Sequence, residues 1–574
     1  MDRRTVWAIL LMMVIAIAPA IFIKRSPALR PSPKPPVAPV PRTDTSARAP
    51  SAQPSDSGPP AARPGPAESA GSAAPDTVWV SSPLYTYGFS TVGGRMVDAT
   101  LHRYRSMAPD RRGATAQILP AQSKLLDLTL LIGRDTVPLH DWKFAASSES
   151  LTVEKPTSFR LSGTQRGIGV ELTYAFRPDD YQVGVSGRVT GVGPNGGLLL
   201  IGMGPTLANT EANEVENQHA LALVTKRNET ERMDFAGLKP GEPKTVSGPL
   251  EWAAVKSKYF VTAVLAFDSA GGVISGATAV APTSAEKRPT TADVRLSLPL
   301  PPSGGFHYSL YAGPMEYDRL SRIGHDFDDV NPYGWPGFRA IIRPVAVAVR
   351  WLLVWMHEHL HLAYGLVLIF FGILVRLLLW PLNQKAMRAN LKLQEVQPLM
   401  KDIQERYKND PQRMQQEMFK LYKEYNVNPL GGCWPMLLPM PVLFALFFVF
   451  GNTIELRGAS FLWLPDLSRP DPLYIIPVIM GLSMYGLSKM GQVGMEPNPQ
   501  MKMMLYVMPI MMTFLFLNFA SGLNLYYAVS NLASIPQQWL LARERQKRTA
   551  RTIVEVKTKP EPAGDKQAPR KKKA

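Results

Sequence analysis

Polar and apolar positions along the chain fall into two main textures. Between Asp76 and about Asp329, short apolar segments such as LLDLTLLIG, GVELTYAF, YQVGVSGRV and YFVTAVLAF recur, broken every ten residues or so by Gly, Pro, Asn and Asp. Turn-punctuated segments of this kind predict a large antiparallel β-sandwich over 76–330. From Tyr364 onward the apolar runs lengthen to bilayer scale, at 364–382, 435–452, 473–488, 503–519 and 523–541. Several are short or proline-interrupted, as in PMLLPMPVLF and YIIPVIMG, which a membrane tolerates only where neighbours or water satisfy the freed backbone groups. One more run, Thr5 to Ile23, follows Arg3 and Arg4. The Ala16-Ile17-Ala18 triplet resembles a cleavage site, but Pro19 follows it and the apolar run continues through Ile23, so residues 1–25 read as an uncleaved transmembrane anchor. The pattern predicts six spans, one at 363–382 and four within 435–541.

The connecting segments differ in character. Residues 26–75 are rich in Pro, Ala and Ser with few large apolar side chains, a disordered tether. Over 338–362, Arg339, Arg343, Arg350, His357 and His361 fall on one helical face, and Ile341, Ile342, Val345, Val349, Leu352, Leu353 and Met356 on the other. A basic amphipathic helix of this kind is expected to lie in the headgroup layer. Residues 383–426 are charged and helix-favouring, and Asn409-Asp410-Pro411 breaks them into two arms, with Asp410 as cap and Pro411 at the first helical position. The resulting hairpin carries Lys385, Arg388, Lys401 and Arg406.

Charge then sets the topology. The net charge of +17 could signal nucleic acid, but the excess Lys and Arg lie mostly beside the apolar spans and in the tail 542–574, which ends RKKKA. Basic loops near spans stay cytoplasmic. Hairpin and tail are separated by four spans, so both lie inside, the β domain crosses the membrane, and the N-terminus is cytoplasmic. The one cysteine, Cys433, excludes an intrachain disulfide. His102, His140, His219 and His307 show no catalytic or metal-ligating spacing. The membrane part has no Walker loop, dinucleotide glycine motif, zinc spacing or acid pair. No cofactor and no enzymatic site are expected.

What the membrane part does have is Arg376, near the middle of YGLVLIFFGILVRLLLWPL. An Arg at bilayer depth costs roughly 3 kcal/mol on insertion scales, so such residues usually face a wet cavity. Later spans add Thr513, Asn518, Asn524, Ser530, Asn531, Ser534, Gln537 and Gln538, with Tyr526 and Tyr527. An inward-facing polar groove accommodates them all. Two alternatives stand beside it: Arg376 snorkels to the cytoplasmic headgroups, lying only about 9 Å along a helix from Leu382, or pairs with a carbonyl, and the tyrosine pair, close behind Ser521-Gly522, suits an interfacial belt.

The segments NVNPLGGCWPMLLPMPVLFALFFVF at 426–450, VRLLLWPLNQKAM at 375–387 and ASGLNLYYAVSNLASIPQQWLL at 520–541, and the order of all elements, resemble the YidC/Oxa/Alb family of membrane protein insertases in its Gram-negative layout. The resemblance implies an α-helical polytopic inner-membrane protein with a five-helix insertase core and a large all-β periplasmic supersandwich. It implies a hydrophilic groove around Arg376, to which Asn524 and Asn531 are assigned, with Tyr526, Tyr527 and neighbouring apolar positions as substrate-contact candidates. It implies nascent membrane proteins as substrates, and the Sec translocon, the ribosome and membrane lipids as partners. A polytopic transporter would use the same wet groove but is disfavoured by the absence of repeated halves. A passive assembly scaffold is the third class.

Overall fold

The computed structural model describes residues 77–558 apart from 122, 268–272, 285–287, 336, 426–439 and 494–498. The expected anchor at 1–25, the tether at 26–75 and the end of the tail from 559 lie outside the described residues.

The alternation in the first texture folds into two sheets. One has eleven strands and runs from Pro243–Leu250 through Ile274–Val280, Asp293–Leu300, Gly197–Met203, Leu125–Ile132, Met96–Arg105, Tyr85–Ser90 and Thr77–Ser81 to Ser150–Thr152. The other has nine and runs from Thr230–Asp234 through Ala222–Lys226, Trp252–Lys256, Phe260–Leu265, Gly305–Pro314, Gln182–Thr190, Ile168–Phe176 and Thr157–Gln165 to Ala145–Ala146. Along Ile168–Phe176 the residues Val170, Leu172, Tyr174 and Phe176 all point inward, the period-two pattern of a half-buried strand. They meet Phe89 and Phe159, with the Phe89 and Tyr174 ring centres 4.7 Å apart. Each large apolar side chain so buried contributes about 1.5–3 kcal/mol. Trp252–Lys256 and Phe260–Leu265 are buried on both faces. Trp252 packs edge-on against Phe327 and donates to the His325 carbonyl at 3.0 Å, so the segment leaving the domain covers the second face.

Ten helices are described: α1 (Glu214–Ala220), α2 (Tyr317–Ile323), α3 (Arg339–Leu360), α4 (Tyr364–Glu395), α5 (Gln397–Arg406), α6 (Pro411–Glu424), α7 (Met440–Asn452), α8 (Ile475–Gly491), α9 (Pro499–Phe516) and α10 (Ser521–Thr558). Two described stretches, Arg339–Leu360 and Tyr364–Gln384, are long and apolar enough to cross a bilayer. Phe370, Leu377 and Leu378 on α4, Leu482 on α8, Ile510 and Phe514 on α9 and Leu532 on α10 stand exposed. Apolar surface this extensive marks an interaction face, for a membrane or for another protein. The hairpin break is a cap: Asp410 accepts from the Arg413 amide at 3.1 Å and Pro411 opens α6. Beyond position 541, α10 continues unbroken to Thr558, because RERQKRTARTIVEVKT contains neither Gly nor Pro.

One expectation changes. The arginines of α3 are not turned outward to headgroups. Arg339 pairs with Asp329, Arg343 with Asp328 at 2.7 Å, and Arg350 holds Asp318 through two bonds of 2.9 and 3.1 Å while also meeting Glu455. The buried Asp328 and Asp329 at the exit of the β domain offer Arg339 and Arg343 a less hydrated partner, and the buried Arg350 reaches out to the exposed Asp318 and to Glu455. The exposed stripe of α3 is instead Ile341, Trp351 and Trp355.

Candidate functional site

Arg376 lies on α4 against α10. One turn before it, Gly372 brings the helices together: a Cβ there would stand 3.2 Å from Val529 and 3.6 Å from Tyr526. That approach puts the Arg376 guanidinium on α10, where Nε donates to the Ser530 hydroxyl at 2.9 Å and to the Ser530 carbonyl at 3.1 Å. Its two terminal nitrogens have no partner among the described residues. The head is pinned at one nitrogen and leaves four N–H bonds to offer. Of the two structural alternatives for Arg376, this geometry is the pairing with a carbonyl rather than snorkelling, because the side chain bonds sideways to a neighbouring helix.

Two polar seams run along α10 beside it. One faces α4: Ser534 Oγ donates to the Ser530 carbonyl at 2.7 Å and Gln537 donates to the Trp380 carbonyl at 3.1 Å. The other faces α8: Asn531 donates to Ser483 Oγ at 3.1 Å, and Ser483 Oγ donates to the Met480 carbonyl at 2.7 Å. Polar side chains at i, i+3, i+4 and i+7 share a helical face, so the spacing 530, 534, 537 forms one seam. Behind α8, Gly481 admits α9 so closely that an added Cβ would lie 1.9 Å from Thr513 Oγ1. Thr513 Oγ1 itself donates to the Pro509 carbonyl at 2.8 Å.

The expected contact residues separate into two groups. Tyr526 and Tyr527 lie near Arg376. Tyr527 is half-buried and meets Phe516 edge-on, whereas Tyr526 is buried beside Phe371, with ring centres 5.7 Å apart. Asn531 is buried in the α8 seam, and Asn524 is fully enclosed, donating to the Phe516 carbonyl at 3.0 Å with its Oδ1 unpartnered. Asn524, Tyr526 and Asn531 therefore form the wall rather than its surface. In the hairpin, Lys401 and Arg406 are exposed, and Arg406 pairs with Asp402 at 2.9 Å. Lys385 and Arg388 lie on α4 with side chains outside the described set. Among the described residues no group of three or more His, Cys, Asp or Glu side chains is placed to hold a metal ion. Ser530, four residues after Tyr526 and so on the same face, is the site residue that sequence reading passed over as one polar position among many.

Comparison with known proteins covers both halves. Residues 77–347 match a family described as the YidC periplasmic domain, and residues 355–548 match one described as the 60Kd inner membrane protein. A membrane protein insertase YidC from Chlorobaculum tepidum is 30% identical over 516 residues, covering 84% of this chain and 85% of that protein. One from Oleidesulfovibrio alaskensis is 31% identical over 482 residues, covering 81% and 86%. Among solved structures, an active YidC insertase with its first transmembrane domain resolved aligns over 82% of this chain and 93% of its own, at 17% identity and a TM-score of 0.33. The chain belongs to the YidC family of membrane protein insertases, inner membrane proteins with a periplasmic domain.

Proposed function

We propose that the protein inserts and helps fold integral membrane proteins, alone or with the Sec translocon, by lodging the hydrophilic part of an incoming segment against Arg376. The observation that carries this reading is the divided state of that guanidinium, anchored through Nε to Ser530 and unpartnered at its terminal nitrogens among the described residues. A fixed positive charge with free donors attracts acidic and polar groups at a depth where water alone would not hold them. Tyr527 supplies the adjoining aromatic surface, while Asn524, Tyr526 and Asn531 shape the wall behind it. The apolar part of the segment then slides along the bundle into lipid. Burial at about 25 cal/mol per Å² over about 150 Å² yields roughly 3–4 kcal/mol per large side chain. A few such residues exceed the roughly 3 kcal/mol cost of carrying one charge to the bilayer centre. The step needs neither nucleotide nor covalent catalysis, so the protein is not an enzyme.

In this reading α4, α7, α8, α9 and α10 are the five-helix core and Thr5 to Ile23 the sixth span. The basic hairpin and tail are cytoplasmic, where Lys385, Arg388, Lys401, Arg406 and the terminal RKKKA meet the ribosome and anionic lipid. The β domain and α3 lie on the periplasmic side, with Trp351 and Trp355 at the headgroup level. The test is photocrosslinking to a stalled nascent membrane protein, with a photoreactive residue at Tyr527 and, as control, at lipid-facing Leu378. Adducts at Tyr527 that move along the nascent chain with its length are expected. Equal labelling from both positions would sink the proposal.

A further inference from the structure

The loop between α7 and α8 ties the β domain to the helices that carry the groove. At one end, Arg457 is only about 5% exposed and has left the bundle for the β domain. Its Nε faces both Glu211 carboxylate oxygens at 2.9 and 3.0 Å. Its terminal nitrogens donate to the Arg105 and Thr210 carbonyls, each at 2.8 Å. The guanidinium lies over Phe260 and Tyr259, 5.4 and 5.9 Å from the ring centres. Every face of the head is engaged, and all partners belong to the β domain. Beside it, Lys256 donates to Asn331, Asn331 to the Asn452 carbonyl, and Asn452 back to the Pro332 carbonyl.

At its other end the same loop rests on the first residues of the groove helices. The Phe461 ring lies on Gly365 of α4, where an added Cβ would stand 2.0 Å from the ring. On α10, the Ser521 and Gly522 amides donate to the Arg469 and Leu467 carbonyls at 2.7 and 2.9 Å. Asp471 accepts from the Ile476 amide at 2.7 Å and so caps α8. Gly365 and Ser521 begin the two helices that bring Arg376 and Ser530 together, about 16 and 13 Å further along at 1.5 Å per residue.

We infer that Arg457 and Glu211 are a positioning pair through which the β domain sets the spacing of α4 and α10, and with it the width of the groove for the incoming segment. The inference rests on the Arg376 reading above. The pair touches no substrate; it acts through Phe461 and the backbone of the loop.

The experiment uses the full chain in lipid nanodiscs, with Cys433→Ser and spin labels at lipid-facing Leu374 and Leu532, so that the α4 to α10 distance is read directly. Insertion of a single-span protein with an acidic tail is measured in parallel. Arg457→Ala is expected to broaden the distance distribution and slow insertion at least fivefold, and Glu211→Gln, which keeps the shape but not the charge, to do so less. Should Arg457→Ala unfold the β domain, Phe461→Ala acts only at the helix end and is expected to broaden the distribution with that domain intact. Arg376→Ala is expected to slow insertion with distances unchanged, which separates groove from brace. Unchanged distances in Arg457→Ala with a folded β domain, and in Phe461→Ala, would overturn the inference. Broadened distances with undiminished insertion would leave the positioning role standing and count against the Arg376 reading.

Discussion

Ser530 is the residue on which the charge at Arg376 is hung, and its removal has a calculable effect. Arg376 Nε divides its proton between the Ser530 hydroxyl at 2.9 Å and the Ser530 carbonyl at 3.1 Å. A hydrogen bond to a charged group is worth about 1.5–3 kcal/mol net. Ser530→Ala deletes the shorter branch and leaves the carbonyl, so about half is lost, close to 1 kcal/mol. If the guanidinium must be in place when the segment enters, this slows insertion about fivefold, since 1.36 kcal/mol is a factor of ten in rate. Ser534→Ala is the contrast: its hydroxyl donates to the same Ser530 carbonyl at 2.7 Å, so its loss removes a competitor and leaves the rate within about twofold. Proteoliposomes with purified protein and protease protection of an acidic N-terminal tail give the initial rates. The reasoning fails if Ser530→Ala is as severe as Arg376→Ala, or if Ser534→Ala is the more harmful of the two.

Other outcomes follow from the same coordinates. Gly481→Ala places a Cβ 1.9 Å from Thr513 Oγ1 and is expected to cost about 1–3 kcal/mol by overpacking; Gly481→Ala with Thr513→Ala leaves 3.3 Å to the nearest remaining atom and restores most of that stability, read as resistance to SDS unfolding. Arg350→Ala leaves the partly buried Glu455 without its partner, while the exposed Asp318 stays hydrated, and is expected to cost about 1–3 kcal/mol, seen as early proteolysis at the junction between β domain and α3. The Lys226 ammonium, 2.8 Å away, holds the Asp326 carboxyl below its ordinary value. Its folded value thus lies under the unfolded one of about 3.9, and the added stability is present above about pH 4 and lost as pH falls through the depressed value. Asp326→Asn is expected to remove that increment, so that protease resistance of the two proteins differs at pH 6 and converges toward pH 3.

How far the sequence carries depends on whether the partner is local. The β domain is legible because alternation is a property of consecutive residues, as in the inward Val170, Leu172, Tyr174 and Phe176. Arg376 is legible because an unpaired charge in an apolar run is conspicuous on its own. What holds it is not, since Ser530 lies 154 residues away among other polar positions. Arg457 and Glu211, 246 residues apart, are hidden for the same reason. The arginines of α3 misled in a different way. Helical periodicity groups Arg339, Arg343 and Arg350 correctly but cannot say what they face, and the acidic run Asp326, Asp328, Asp329 just upstream was the available signal. Asn524 and Asn531 read as groove-lining because polarity in a span demands a partner; the partner turned out to be the Phe516 carbonyl and Ser483.

The central claim is that positive charge at position 376 receives the hydrophilic segment. Its most direct test is the insertion rate of one single-span protein carrying a neutral, a singly acidic or a doubly acidic tail, compared among wild type, Arg376→Lys and Arg376→Ala. The account predicts that Arg376→Ala loses rate in proportion to tail charge while Arg376→Lys keeps much of it, because charge and hydration are needed rather than a two-pronged fork. Wild-type rates for Arg376→Ala across all three tails would contradict it.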